Sequence, residues 1–183
     1  MNTAASLRGS ARKTKRTRCA AGVNSGARLI ATHATKRWVI AIDGPAASGK
    51  SSTARMVAEA LGARHLDSGA LYRGVTAARL RTGGDPDQWT EQSVLEAAAR
   101  VTLAPGATTF AARVDGAACE EELRGDAVTA LVSLVAKMPH VRRWVNRTLQ
   151  ATAAAHAVVA DGRDMGTTVF PDATLKVWLV AIA

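Results

Sequence analysis

From position 38 onward, short apolar runs alternate with longer stretches whose apolar residues recur at helical spacing. Trp38-Val39-Ile40-Ala41-Ile42 is apolar throughout, the pattern of a strand covered on both faces. Ala54, Met56, Val57, Ala58, Ala60 and Leu61 then form a helical stripe, with Gly62 suited to its end. His65-Leu66-Asp67-Ser68-Gly69 predicts a very short strand or turn. Residues 70–80 predict a second helix with Leu71, Val75, Ala78 and Leu80 apolar, broken by Gly83-Gly84-Asp85-Pro86. Asp85-Pro86-Asp87-Gln88-Trp89 is expected to cap a short helix through Arg100, with Leu95 inward. Short strands are predicted over 101–103, 109–114 and 117–119, with turns at Pro105-Gly106 and Asp115-Gly116. Residues 123–137 and 141–155 read as two helices parted at Met138-Pro139. An apolar run over 156–161 ends in an acid, and 174–183 predicts a last strand. Apolar strands separated by helices predict an α/β fold with a parallel sheet, carrying a small inserted β element.

Between the first strand and the first helix lies Gly44-Pro45-Ala46-Ala47-Ser48-Gly49-Lys50-Ser51, which fits G-x-x-x-x-G-K-[ST] at every fixed position. Small residues let the backbone wrap a polyphosphate with its N–H groups inward. Lys50 can reach the β- and γ-phosphates, and the Ser51 hydroxyl can join a Mg²⁺ shell. Strand, loop and helix follow in the order this chemistry needs, so the expected sheet is of the P-loop NTPase type. The bland reading, a glycine-rich turn with a chance lysine, does not account for both flanks.

Composition changes this picture little. Apolar residues make up 48% of the 183, enough for a globular domain with a real, mainly aliphatic core. No apolar run approaches the length of a membrane span. Cys19 and Cys119 are far apart and show neither metal spacing nor a disulfide framework, which suits a reducing, cytoplasmic setting.

Charge matters only once it is located. The net charge is +9, and nine of the 24 basic residues fall in residues 1–37, which contain no acid; the rest is formally neutral, with as many bases as the 15 acids. The basicity therefore belongs to an extension rich in Ser, Thr, Ala and Gly, expected to be disordered. It reads as a basic arm touching RNA or DNA, a transit peptide, or an extension from a start assigned too far upstream. It lacks the aromatic residues that stack bases, so nucleic-acid contact is expected through this tail or not at all.

Two further groups carry chemistry. In Asp67-Ser68-Gly69-Ala70-Leu71-Tyr72-Arg73, Ser68 and Arg73 fall near a helix start, where anions are welcome and Arg73 can grip phosphate bidentately. Taken alone this is an N-cap serine and a solvated arginine. Asp161-Gly162-Arg163-Asp164 follows a buried strand, at the edge where open α/β sheets bind ligands. Asp161 can orient Mg²⁺ or its water, and Arg163 can neutralise phosphate charge. Ser133 and Arg142, read from the pattern alone, are a helix residue and a surface charge.

The stretches IDGPAASGKS, LDSGALYR, VSLVAKMPHVR and ADGRDMGTTVFPDA, in this order and spacing, resemble the bacterial cytidylate kinase family over about residues 38–178. The resemblance implies transfer of the γ-phosphoryl of ATP to CMP or dCMP, with Mg²⁺, by a monomer. It implies that Gly44, Pro45, Ala46, Ala47, Ser48, Gly49, Lys50, Ser51 and Ser52 hold the ATP phosphates. Lys50, Arg163 and Asp161 would carry the chemistry, with Ser51 on the metal and Asp161 assisting through water. Ser68 would lie near the acceptor nucleotide, Arg73 and Arg163 would hold the CMP phosphate, and Ser133, Arg142 and Asp164 would read the cytosine edge. Residues 84–155, with the β element near 101–119, would be the monophosphate-binding insert.

The chain ends where the family continues into an arginine-rich lid, a last strand and a closing helix. The expectation from sequence is therefore a shortened kinase with impaired turnover and an exposed outer strand over 177–180. Two rivals stand beside it: another small-molecule P-loop kinase, and a non-catalytic nucleotide-binding fragment with an RNA-contacting tail.

Overall fold

A computed structural model describes residues 37–180. The basic extension, apart from Arg37, and residues 181–183 lie outside the described residues. Strand β1 (Val39–Asp43) leads through the glycine-rich loop into α1 (Lys50–Ala60), then β2 (Arg64–Asp67) and α2 (Ser68–Leu80). After a 3₁₀ turn at Pro86–Gln88 come α3 (Glu91–Ala98), β3 (Val101–Pro105), β4 (Phe110–Val114) and β5 (Ala117–Ala118). Helices α4 (Glu120–Arg124), α5 (Asp126–Ala136) and α6 (Pro139–Ala155) precede β6 (Val158–Gly162), a π turn at Met165–Val169, and β7 (Leu175–Trp178).

Strands β2, β6, β1 and β7, in that order, form a parallel sheet. Its two inner strands are apolar because both faces are covered. The register places Asp67 opposite Asp161 and Asp43 opposite Gly162, so the carboxyl ends of β2, β6 and β1 finish level with one another. That shared edge is where an open α/β sheet gathers its ligand site. The outer strand β7 leaves Leu175 and Trp178 exposed, Trp178 at 65%, and Val180 just beyond it is exposed as well.

Most of the core lies on the face covered by α2, α3, α5 and α6. Helix α2 is its axis: Leu71, Val75, Ala77 and Ala78 are fully buried. Helix α6 contributes Val141, Val145, Leu149 and Ala153, four apart each time, which stacks them along one narrow stripe. The opposite face is covered by α1 through Ala54 and Ala58, packed with Ile42 and Val159. The antiparallel sheet β3-β4-β5 forms the predicted small element. Its β4–β5 turn uses Asp115 (φ 55) and Gly116 (φ 77), the positive pair that a tight hairpin with Asp-Gly adopts.

Several expectations need correction. The α1 stripe is narrower than its composition, with Met56 71% exposed and Leu61 52% exposed, because the helix meets the sheet mainly through its two alanines. Thr90, whose Oγ1 accepts from the Ser93 N–H, caps α3, while Asp85 caps the 3₁₀ turn before it. Val94 is the fully buried residue of α3, and Leu95 is half-buried. The single helix expected over 123–137 is two, parted at Gly125, whose extended backbone ends α4. The last strand ends at Trp178 rather than running on through the chain's end.

Candidate nucleotide site

The loop after β1 is held in a costly shape. Ala47 has φ 61, a conformation that costs an L-residue about 1–2 kcal/mol. Gly49 (φ 81) takes the N-cap position of α1 and offers no side-chain cap, so the first N–H groups of that helix are left for another acceptor. Ser48 Oγ is buried and has no hydrogen-bond partner among the described residues. Lys50 Nζ donates to the Pro45 carbonyl at 2.8 Å, folding the lysine back over its own loop. A strained loop with unsatisfied donors at a helix start is fitted to a polyanion.

Asp43, at the end of β1, holds the neighbouring segment in place. Its Oδ1 accepts from the Met165 N–H at 2.7 Å and its Oδ2 from the Gly166 N–H at 2.8 Å. Its carbonyl accepts from the Leu179 N–H at 2.7 Å.

Asp161, 2% exposed, lies at the centre. Its Oδ2 accepts from Ser51 Oγ at 2.6 Å, its Oδ1 meets His65 Nε2 at 2.6 Å, and its carbonyl accepts from Ser68 Oγ at 2.9 Å. Gly162 permits the last of these: a Cβ there would lie 2.7 Å from Ser68 Oγ and 2.7 Å from Met165 Cε. Ser68 is therefore not the cap of α2. Asp67 is, accepting from the Gly69 N–H at 2.7 Å, and it also faces Arg73 Nη1 at 3.6 Å. Burial, and then the neighbouring Asp161 charge, push the Asp67 carboxyl above its ordinary value, with Arg73 pulling the other way. Burial likewise raises the Tyr72 phenol.

Ser51, Asp67, Ser68, Tyr72, Arg73, Asp161 and Gly162 line a cleft of about 520 Å³, a size suited to a small ligand. Its lining includes Ala46, Ala47, Lys50 and Ser51 from the loop and the start of α1, Ser68 and Arg73 from α2, Asp161, Arg163 and Asp164 from the end of β6 and the segment after it, and Ser133 and Arg142 from α5 and α6. Arg142 Nη2 donates to Asp164 Oδ2 at 2.5 Å. Ser133 and Arg142 thus converge although they sit on different helices, α5 and α6. Gly44, Pro45, Ser48 and Gly49 shape the loop without lining the cleft, and Ser52 points from α1 into solvent. Pattern reading gave no role to Asp43, His65, Asp67, Tyr72 or Lys137; of these, Asp67, Tyr72 and Lys137 line the cleft. Two other concavities, of about 380 and 410 Å³, lie beside Arg79 and Arg100 and beside Trp38 and Phe170, and neither includes the phosphate loop.

The Ser51 hydroxyl and Asp161 carboxylate are hard oxygen donors, the kind Mg²⁺ takes. No cluster of three or more His, Cys, Asp or Glu suited to a metal occurs among the described residues. That pairing of one hydroxyl and one carboxylate fits a Mg²⁺ that brings most of its ligands as waters and substrate phosphates.

The family model for cytidylate kinase matches residues 40–183. The chain belongs to the cytidylate kinase family. It is 44% identical over 148 residues to a cytidylate kinase of Mycolicibacterium paratuberculosis (strain ATCC BAA-968 / K-10), covering 79% of this chain and 64% of the relative. It is 41% identical over 152 residues to that of Rhodococcus jostii (strain RHA1), covering 81% and 66%. It is also 42% identical over 166 residues to a bifunctional pantoate ligase/cytidylate kinase of Synechococcus sp. (strain CC9311), covering 88% of this chain and 34% of the relative. The chain thus spans about two thirds of the length of its single-function relatives and about one third of the bifunctional one. Among the described residues no helix is long and apolar enough to cross a membrane.

Proposed function

We propose that the protein transfers the γ-phosphoryl of ATP to CMP or dCMP, giving ADP and CDP or dCDP. One observation carries this reading: a single cleft is lined by residues of the glycine-rich loop together with Arg73, Arg163, Ser133, Arg142 and Asp164. The family to which the chain belongs, and the printed names of its relatives, support it.

In this reading the loop from Gly44 to Ser52 holds the donor phosphates, and Lys50 leaves the Pro45 carbonyl to reach the group in transit. Arg73 and Arg163 hold the acceptor phosphate. That phosphate is already anionic, so attack in line on the γ-phosphorus needs no strong base, and catalysis is positioning and charge neutralisation. Mg²⁺, held through Ser51 and Asp161, would supply charge neutralisation at the donor phosphates. Asp164 accepts, Arg142 donates and Ser133 does both, which matches the amine, ring nitrogen and carbonyl of cytosine. Uracil would turn a carbonyl toward the Asp164 carboxylate and leave both unpaired. Residues 84–155 serve in this reading as the acceptor-binding insert.

The test is ADP formation by the purified chain with Mg·ATP and CMP, dCMP, UMP or AMP, beside Lys50→Ala. Turnover with CMP and dCMP that Lys50→Ala abolishes is the expected result. Turnover with AMP at least as fast, or turnover indifferent to Lys50, would sink it.

A further inference from the structure

Three elements meet on one carboxylate, and only one of its two side-chain contacts has a role so far. Helix α1 brings Ser51 to Asp161 Oδ2, and β6 supplies Asp161 itself. Strand β2 brings His65 to Oδ1 at 2.6 Å. A histidine on a buried strand usually does no more than fill volume, and His65 is only 2% exposed. Its other ring nitrogen argues for more. Nδ1 is buried with no hydrogen-bond partner among the described residues. An orphaned buried N–H is rarer in folded proteins than an under-used acceptor. The geometry therefore places an N–H on Nε2, donated to Asp161. A carboxylate can only accept, so Asp161 is satisfied from both sides, by His65 on one oxygen and Ser51 on the other. Ser51 spends its only proton on Oδ2, which leaves the lone pairs of its oxygen for another partner.

The His65 main chain is held as well. Its N–H donates to the Thr108 carbonyl at 2.8 Å, and Thr109 Oγ1 donates to its carbonyl at 3.4 Å. The ring thus hangs from a strand tied on one side to β6 and on the other to the loop between β3 and β4, and it cannot slide to follow a moving carboxylate.

We propose that His65 is a positioning residue: its Nε2–H locks Asp161 in the orientation that draws the Ser51 proton inward and turns the Ser51 oxygen toward the divalent cation accompanying the nucleotide. Without that donor, Oδ1 is left buried and unpaired, and the carboxylate gains by rotating away from Ser51. Partners one step removed from a metal tune its binding in this way. The proposal rests on the nucleotide-site reading above, and its test separates the two.

ATP affinity is measured by calorimetry with Mg²⁺ and with EDTA, for the unsubstituted chain, His65→Leu and His65→Gln. Leucine fills much of the volume without a donor, and glutamine places an N–H near the position of Nε2. His65→Leu is expected to weaken Mg·ATP binding roughly tenfold and to leave metal-free ATP binding as it was, while His65→Gln recovers most of the loss. Equal loss with and without Mg²⁺, no loss at all, or glutamine behaving as leucine would overturn the proposal. Absence of ATP binding by the unsubstituted chain would remove the nucleotide-site reading itself, and this proposal with it. Should His65→Leu fail to fold, ring-nitrogen NMR of the unsubstituted protein decides. The expected spectrum has a protonated Nε2, a bare Nδ1, and an Nε2 signal that moves with Mg·ATP and not with ATP in EDTA. A proton on Nδ1, or an Nε2 signal indifferent to Mg²⁺, overturns it.

Discussion

The two ends of α2 carry charge in opposite ways. At the C-terminal end, Arg81 donates to Glu122 Oε2 at 2.5 Å and to Asp115 Oδ2 at 3.2 Å, and Arg100 donates to both oxygens of Asp115 at 2.8 and 2.6 Å. Each group there has its complement. Hydrogen bonds from Arg100 hold the Asp115 carboxyl below its ordinary value, and those to Glu122 and Asp115 hold Arg81 and Arg100 protonated still more firmly. At the N-terminal end, Asp67 sits half-buried beside Asp161, with Arg73 no nearer than 3.6 Å, and its carboxyl is pushed up instead. Charges that tie α2 to α4 and to the β4–β5 turn are matched. Charges at the cleft are left partly unmatched, and under the proposed function an incoming polyanion and its cation would complete them.

The largest effect should come from the cleft. Lys50→Ala is expected to lower kcat by about a hundredfold or more, read in coupled ADP assays, with the melting temperature unchanged because, among the described residues, the lysine amine hydrogen-bonds only to the Pro45 carbonyl. A comparable drop in melting temperature would mean that Lys50 belongs with the matched, structural charges.

Next is the pair proposed to read the base, Arg142 and Asp164. Asp164→Asn offers an N–H where the carboxylate only accepts, so the ratio of kcat/KM for CMP over UMP should fall by roughly tenfold or more. An unchanged ratio would remove Asp164 from base recognition.

The matched end should respond weakly. Asp115→Asn keeps a residue that tolerates φ 55 and removes the charge. Its pairs are exposed, so the expected loss is a melting shift of a few degrees at most, shrinking in high salt. A collapse of the fold would show that the network is structurally dominant.

The finest distinction is in pH. Asp115 has a lowered pKa, so its contribution is present above the ordinary carboxylate value and is lost as pH falls through its folded value. Asp67 has a raised pKa, so its contribution favours the fold below the ordinary value and is lost as pH rises through its folded value. On acidification from neutral pH, the melting advantage of the unsubstituted chain over Asp115→Asn should therefore shrink, while its advantage relative to Asp67→Asn should grow. Melting curves across that range check both signs, and parallel trends would erase the contrast.

The same contrast explains what was legible beforehand. The phosphate loop, β1, α2 and β6 are local patterns, and the Asp115-Gly116 turn is a local chemical signal, so each was readable from neighbouring residues. The Ser133–Arg142 convergence is not local. It depends on how α5 and α6 pack, and only the family resemblance pointed to it. His65 is less visible still, since a histidine in an apolar strand has no periodic signature and its partner lies 96 positions away. Met56 misled because a helix stripe shows what can be buried, while the neighbour decides how much is.

The three bonds made by Asp43 also imply something about motion. One residue accepts from the backbone of Met165, Gly166 and Leu179, segments that follow two different strands. Their amide protons should therefore exchange with solvent together, at a rate set by a single opening of the β1 terminus. Bound nucleotide would slow all three in step, although none of them lines the cleft.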